Sequence, residues 1–166
     1  MNASMGFCFS NSLREVALIK KATPSWQRGR LNGVGGKAEI KDGGNPFNTM
    51  RREFSEEAGL DIVDWRQFGV LVDELRGWEV ALFRAQVTRD RLQHCHGQVS
   101  LTDGKSSNGI QLQERVQLVP VDAIPFLVAA GQAMHNLGWM IPMALNSSVK
   151  HKFGPSTGSL TRVVEG

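Results

Sequence analysis

A short acidic segment, residues 52–60, constrains the fold more than any other part of the chain. It lies at the end of a predicted amphipathic helix, for which Asn45 provides the N-cap, Pro46 suits the first turn and Gly59 provides the stop. Apolar side chains recur at helical spacing and define one face of this helix: Phe47, Met50, Phe54 and Ala58. The pattern predicts a helix over residues 46–58 that packs on a core by this face.

Three carboxylates, Glu53, Glu56 and Glu57, share the neighbouring face of the predicted helix. Like charges at this spacing repel, and carboxylates in a last turn oppose the helix dipole, each at a cost of a few tenths to about 1 kcal/mol. A divalent cation would turn both penalties into a binding site, because Mg²⁺ prefers clustered oxygen ligands. For such a helix taken alone, a solvated acidic face is the alternative.

A glycine-rich turn with a lysine precedes the helix at residues 31–39, Leu-Asn-Gly-Val-Gly-Gly-Lys-Ala-Glu. Together with residues 52–60 it resembles the signature of the Nudix hydrolases, G-x5-E-x7-R-E-U-x-E-E-x-G-U, where U is a bulky aliphatic residue. The second half of the signature matches, with Phe54 in place of the aliphatic residue. The resemblance implies an α/β (α+β) fold, an α/β/α sandwich around a mixed β-sheet. It also implies hydrolysis of a diphosphate linkage with Mg²⁺, for which Mn²⁺ could substitute.

The first half of the signature departs from the pattern. The interval from Gly36 to Arg52 is two residues longer than the signature, so the first signature Glu has no clean counterpart. Counting forward from Gly36 reaches Asp42, and counting back from Arg52 reaches Gly44. We interpret residues 41–44 as a lengthened loop in which insertion is easy. We expect this loop to be mobile and Asp42 to be dispensable, so that Asp42→Asn changes the rate less than tenfold.

The resemblance also assigns roles to the acidic residues. It implies that Glu56 and Glu57 are metal ligands and that Glu53 is a ligand or the base that activates water. The carbonyl of Gly36 often completes the metal shell in the family. A further acid from outside the helix often helps in the family, and Glu114, near the start of a predicted strand, is our candidate; a surface Glu at a loop edge is the alternative.

The remaining site predictions concern orientation and substrate binding. Arg52 can pair with Glu56 four positions later and orient the carboxylates, and Lys37 inside the signature is expected to contact phosphate. Within the family, residues 31–37 are similar to the MutT-like, oxidised-purine nucleoside triphosphatase (8-oxo-dGTPase) branch, which implies that Asn32 reads the base. Where that branch has an acidic pair, this chain has Asn136 and Leu137, so we expect at most a modest preference for oxidised purines, with Asn136 as a substrate-binding candidate.

Three functions are compatible with these residues. The first is Mg²⁺-dependent cleavage of a nucleoside triphosphate, preferably a purine one, to a monophosphate and pyrophosphate. The second is the same chemistry on a nucleotide sugar, ADP-ribose, a dinucleoside polyphosphate or an RNA cap. The third is a non-catalytic nucleotide or RNA binding module, against which the intact residues 52–60 argue.

Length and composition predict one domain over residues 1–166, because 166 residues with 41% hydrophobic content can bury a single core. The Ser-, Gly- and Thr-rich segment 146–166 is expected to be a flexible tail. We find no signal peptide and no membrane-spanning run, and we expect a cytoplasmic protein whose partner is a nucleotide rather than a membrane or a nucleic acid. Monomer and dimer both stay open.

Predicted elements alternate between strands and helices along the chain. Residues 89–109 are interpreted as a polar loop, and residues 132–145 as a second helix with Pro142 late in it or kinking it. Strands are predicted at five places: residues 16–20, 31–34, 68–73, 79–87 and 112–119.

Overall fold

A computed structural model of the protein describes residues 2–146 and the backbone of four short strands that follow them. The strands are β1 (Asn2–Ser10), β2 (Glu15–Lys20), β3 (Leu31–Asn32), β4 (Val34–Lys37), β5 (Arg66–Asp73), β6 (Trp78–Val87), β7 (Val99–Lys105), β8 (Gln111–Pro120), β9 (His151–Phe153), β10 (Pro155–Ser156), β11 (Ser159–Leu160) and β12 (Val163–Val164). The helices are α1 (Pro46–Ala58), α2 (Arg89–Gln93), α3 (Ile124–Ala129) and α4 (Leu137–Leu145).

The main sheet is mixed, with the strand order β12-β9-β5-β6-β1-β2-β8-β7. Strand β1 runs parallel to β6, and β5 runs parallel to β9, whereas the other pairs in this order are antiparallel. The two short strands before α1 lie off this path, because β3 pairs with β2 and β4 pairs with β1. The glycine-rich turn is therefore fixed against the centre of the sheet.

Helices cover both faces of the sheet, because successive strand residues point to opposite sides. Cys8, Ile19 and Phe83 pack with the buried face of α1, whereas the residues before each of them, Phe7, Leu18 and Leu82, pack with α4. The buried side chains of α1 are Thr49, Met50, Phe54 and Ala58, and those of α4 are Leu137, Met140, Ile141 and Ala144. This three-layer arrangement confirms the predicted α/β/α sandwich around a mixed sheet.

The structure corrects the sequence interpretation at three places. Strand β1 was not predicted, although it lies at the centre of the sheet, and its run Phe7 to Phe9 is buried on both faces and so lacks the alternation of a half-buried strand. Residues 89–109 are not a loop, because they form α2 and the edge strand β7. The second long helix starts at Leu137, five residues later than predicted, and contains Pro142.

The expectation of a flexible tail over residues 146–166 falls largely outside the described residues and stays a prediction. Among the described residues, no helix has the length and apolar character needed to cross a membrane.

Candidate functional site

Helix α1 presents the carboxylates because its ends and its buried face are both fixed. The side chain of Asn45 accepts a hydrogen bond from the Phe47 N–H at 3.0 Å, and Gly59, with φ 67°, ends the helix through its N–H to the Ser55 carbonyl. With Phe54 wholly buried, Glu53 and Glu57 are directed towards the glycine-rich turn, and Glu56 is half exposed. The predicted helix and its bounds are confirmed.

Arg52 is the centre of the site, with a side chain that is only 12% exposed. One of its terminal nitrogens, Nη1, donates to Glu53 at 2.8 Å and to Glu56 at 3.0 Å. The other, Nη2, donates to the Lys37 carbonyl at 3.0 Å. These contacts hold two carboxylates of α1 and the end of β4 in one arrangement and include the predicted pairing of Arg52 with Glu56.

Asp42 completes the arginine cluster, so the interpretation that the inserted loop removes it from fixed geometry is wrong. Its two oxygens accept hydrogen bonds from Nε and Nη2 of Arg52, both at 2.9 Å. The same carboxylate accepts from the Thr49 hydroxyl at 3.0 Å and from the Glu39 N–H at 2.9 Å. Asp42 is 3% exposed, and the Arg52 guanidinium holds its pKa well below the usual range.

The turn around Asp42 explains why the insertion does not disorder the loop. Residues Ile40–Asp42 form a 3-10 helix closed by a capping box, in which the side chains of Glu39 and Asp42 each bond to the other's backbone. Gly43 and Gly44 follow with φ of 64° and 73°, a conformation that glycine adopts without strain. The lengthened segment is therefore an ordered turn that leads from Asp42 to the N-cap of α1.

Glu53 lies against the backbone of Gly36. A Cβ atom at Gly36 would stand 2.5–2.6 Å from the Glu53 carboxylate, so only glycine allows this approach. The Glu53 side chain is 14% exposed, and its burial raises the pKa of its carboxyl despite the neighbouring Arg52. The structure thus brings together two residues that the resemblance places at the metal.

Glu57 faces the same turn one residue earlier. One of its oxygens accepts a hydrogen bond from the Gly35 N–H at 3.1 Å. Burial, reinforced by the charges of Glu53 and Glu114, raises the pKa of Glu57 to about 7, although Lys21 and the Gly35 N–H act in the opposite direction. A carboxyl in this state would gain from a nearby cation, because the cation would favour its ionised form.

Glu114 on β8 is buried, so the alternative of a surface Glu at a loop edge is wrong. It is 2% exposed, and one of its oxygens accepts from the Lys21 ammonium at 2.5 Å. Its other oxygen accepts from the N–H groups of Ala22 at 2.9 Å and Thr23 at 3.2 Å. Lys21 was not singled out in the sequence, because it partners a residue 93 positions away and no local pattern marks such a pair.

The predicted substrate-binding residues lie at different places. Lys37 is exposed at the end of β4, and among residues 2–146 its ammonium has no hydrogen-bond or ion-pair partner. Asn32 is 4% exposed, and its side chain is occupied by Gln27 at 3.1 Å and by the Gly33 N–H at 2.9 Å. Asn136 precedes α4, and its buried Oδ1 has no hydrogen-bond partner among the described residues.

The donor set around α1 fits a hard divalent cation in its chemistry. The carboxylates of Glu53, Glu56 and Glu57 and the carbonyl of Gly36 are all oxygen donors, which Mg²⁺ requires. Within the described part of the chain, no three acidic, His or Cys side chains already converge on one point. Arg52 explains this in part, because it draws Glu53 and Glu56 to its own Nη1 atom. A bound cation would compete with Arg52 for these oxygens.

An open cavity of about 910 Å³ is lined by the β1–β2 turn and the end of β8, and it contains none of these carboxylates. The acidic groups lie elsewhere, where α1 packs beside the glycine-rich turn and β8.

Comparison with known proteins identifies the fold. No protein-family model matches the sequence, and no curated protein sequence is significantly similar to it. The NUDIX domain of Shewanella oneidensis NrtR, solved with ADP-ribose, is similar at 12% identity and a TM-score of 0.63, over 88% of this chain and 86% of that one. The mutator MutT protein of Bacillus halodurans is similar at 17% identity and a TM-score of 0.60, over 99% and 97% of the two chains. The chain therefore has the fold of Nudix and MutT proteins.

Proposed function

We propose that this chain is a Nudix hydrolase that binds Mg²⁺ through α1 and cleaves the diphosphate linkage of a nucleoside triphosphate. The observation that carries the proposal is the joint burial of Glu53 and Glu57 against the glycine-rich turn, where the backbone of Gly35 and Gly36 meets their carboxylates. Burial raises the pKa of Glu57 to about 7, so ionising this carboxyl lowers the stability of the fold. Carboxyls with such perturbed pKa values cluster at functional sites.

The reaction we propose adds water across one phosphoanhydride bond. The oxygen of water bonds to phosphorus, the bond between that phosphorus and the bridging oxygen breaks, and pyrophosphate leaves with the electron pair. One proton of the water passes to a base, for which Glu53 is our candidate. Bound Mg²⁺ would neutralise phosphate oxygens, orient the water and lower its pKa.

The other residues act on position and charge. Glu56 and Glu57, with the Gly36 carbonyl, would hold the cation, and Glu114 would contribute from β8. Arg52 positions Glu53 and Glu56 through direct hydrogen bonds at 2.8 and 3.0 Å and does not need to contact the substrate. Lys37 extends from the end of β4 with a free ammonium within the described residues, which suits contact with a phosphate.

The preferred substrate we propose is a purine nucleoside triphosphate. Asn136 supports a base-binding role, because its Oδ1 is buried without a partner and could accept a hydrogen bond from an amino group of a base. Asn32 is less free, because Gln27 and the Gly33 N–H already use one donor and one acceptor position of its amide and its side chain is nearly buried. We therefore assign the larger share of base recognition to Asn136.

ADP-ribose is the second candidate substrate. The NUDIX domain of NrtR was solved with this ligand and has the same fold as this chain. ADP-ribose carries an adenine base and a diphosphate linkage, so the same carboxylates and the same asparagine would serve it. A binding module without catalysis is the third candidate, and the intact set of α1 carboxylates argues against it.

A panel of nucleotides distinguishes the three functions. The purified protein is incubated with Mg²⁺ and with each of the four common nucleoside triphosphates, 8-oxo-dGTP, ADP-ribose, a dinucleoside polyphosphate and a capped RNA, and the products are separated. Release of a monophosphate with pyrophosphate from purine triphosphates is the expected result. Cleavage of ADP-ribose alone favours the second function, and binding without turnover of any compound favours the third.

A further inference from the structure

Lys21 and Glu114 form an ion pair inside the protein, at the end of the site that faces β8. The ammonium and the carboxylate oxygen are 2.5 Å apart, and the two side chains are 15% and 2% exposed. Strands β2 and β8 hold the pair in register, because Lys20 lies opposite Arg115 in the ladder. An ion pair with this little exposure loses much of its Coulombic gain to desolvation, so a structural explanation alone is weak.

The carboxylate of Glu114 accepts hydrogen bonds from three donors. Two backbone N–H groups occupy one oxygen, and Lys21 occupies the other. In this state Glu114 has little capacity left to ligate a cation, although its charge reaches Glu57. The charge of Lys21 reaches Glu57 as well, with the opposite sign, so the ammonium and the Glu114 carboxylate both lie within electrostatic range of Glu57 on α1.

We propose that Lys21 is an exchangeable counter-ion, which neutralises Glu114 in the free protein and moves to a phosphate oxygen when the nucleotide binds. The exchange would release a carboxylate oxygen of Glu114 for the metal at the moment when the phosphates arrive. The inference rests on the proposed function, because it requires a cation and a diphosphate at the α1 carboxylates. It assigns Lys21 to binding and positioning, not to proton transfer.

The exchange predicts opposite effects of Lys21→Met on two binding reactions. Mn²⁺ alone should bind about threefold to tenfold more tightly, because the variant removes a positive charge that competes for Glu114. Pyrophosphate, measured at saturating Mn²⁺, should bind at least about tenfold more weakly, because a charge-assisted contact to phosphate is lost. Isothermal titration calorimetry measures both reactions on the intact protein without any turnover.

Matched variants control for charge and for folding. Lys20→Met removes a neighbouring lysine that is exposed, and it should change neither affinity more than about twofold. Lys21→Arg keeps the charge and should restore most of the pyrophosphate affinity. In the Glu114→Gln background, Lys21→Met should no longer increase the Mn²⁺ affinity. If the Lys21→Met single variant folds poorly, this double variant also avoids the unpaired buried carboxylate of Glu114.

Three results would overturn the exchange: a loss of both affinities in Lys21→Met, no change in either, or a gain in Mn²⁺ affinity that persists in the Glu114→Gln background. If the wild-type protein binds Mn²⁺ and any of these three results is found, the exchange is refuted and the proposed function is left intact. A wild-type protein that binds no Mn²⁺ would refute the proposed function itself.

Discussion

Replacing Asp42 by Asn tests whether the buried arginine cluster controls the α1 carboxylates. The substitution keeps the size of the side chain but removes its charge and places an amide NH₂ group against the N–H donors of Arg52. In the wild-type protein both oxygens of Asp42 accept from Arg52 at 2.9 Å, and the carboxylate also holds the Thr49 hydroxyl and the Glu39 N–H. The Asp42→Asn side chain can accept only some of these four hydrogen bonds, because its NH₂ group cannot act as an acceptor.

The expected loss of stability follows from burial. Removing one partner of a buried ion pair costs about 3–5 kcal/mol, because it leaves the other charge uncompensated. Arg52 keeps Glu53, Glu56 and the Lys37 carbonyl, so we expect about 2–3 kcal/mol for Asp42→Asn. For a chain of 166 residues this loss is expected to lower Tm by about 5–10 °C.

The expected loss of activity follows from position. Arg52 without its Asp42 anchor can shift Glu53 and Glu56, and a displacement of about 1 Å near reacting atoms can cost about a hundredfold in rate. We expect kcat to fall tenfold to a hundredfold at saturating Mg²⁺, with Tm and turnover measured on the same preparation. This replaces the expectation from the sequence that the change stays below tenfold.

The chain contains a matched control in Asp61→Asn. Asp61 forms the same bidentate pair with Arg51, at 2.6 and 2.7 Å, but both side chains are about half exposed, so water screens the pair and it contributes little to stability. Equal Tm values for the two variants, or normal turnover in Asp42→Asn, would refute the reasoning.

Three further predictions concern the turn, the pH response and the base. Gly36→Ala should lower turnover at least about tenfold, because a Cβ would stand 2.5–2.6 Å from the Glu53 carboxylate and displace it. Gly29→Ala has open space around it but a φ of 78°, so it should lower Tm and leave the turnover of the folded protein unchanged; steady-state assays compare the two variants. Glu57 has a raised pKa, so the metal-free folded state binds the proton of this carboxyl more tightly than the unfolded state does. The folded state therefore loses stability as pH rises from about 4.5 to about 7, by at most about 3 kcal/mol. Melting curves recorded across this pH range should show the loss in the wild type and not in Glu57→Gln. Asn136→Leu should raise KM for purine triphosphates about fivefold to a hundredfold with kcat largely unchanged, because it removes the buried acceptor Oδ1. An unchanged purine-to-pyrimidine ratio of kcat/KM would exclude Asn136 from base recognition.

Local signals were sufficient to predict helix α1. The cap at Asn45, the stop at Gly59 and the apolar spacing between them are all encoded within residues 45–59, so α1 was predicted with the bounds that the structure has. Strand β1 lacked such a signal, because its central residues are buried on both faces and show no alternation. Helix α2 and strand β7 lie in a polar segment whose helix and strand propensities are weak, so its structure is decided by tertiary contacts and strand pairing.

The pattern of residues alone predicted contacts only between site residues that are close in sequence, whereas Gly36 and Glu114 were named from the family resemblance. Glu53, Glu56, Glu57 and Arg52 share one turn and a half of helix, and their mutual contacts follow from that spacing. The position of Asp42 was predicted wrongly because an insertion suggests disorder. A capping box instead fixes the turn that contains Asp42, and its carboxylate contacts Arg52, ten residues later in the chain. The Lys21–Glu114 pair depends on the register of β2 with β8, which no local pattern reveals.

Turnover of Glu57→Gln with Mg²⁺ tests the central claim most directly. The account predicts a loss of at least about a hundredfold in kcat/KM for the best substrate, with Tm equal to or above that of the wild type, because the neutral amide removes a costly buried charge. Glu74→Gln, an exposed carboxylate in the β5–β6 turn, should retain full activity. Near-normal turnover in a folded Glu57→Gln variant would contradict the assignment of α1 as the metal-binding and catalytic element.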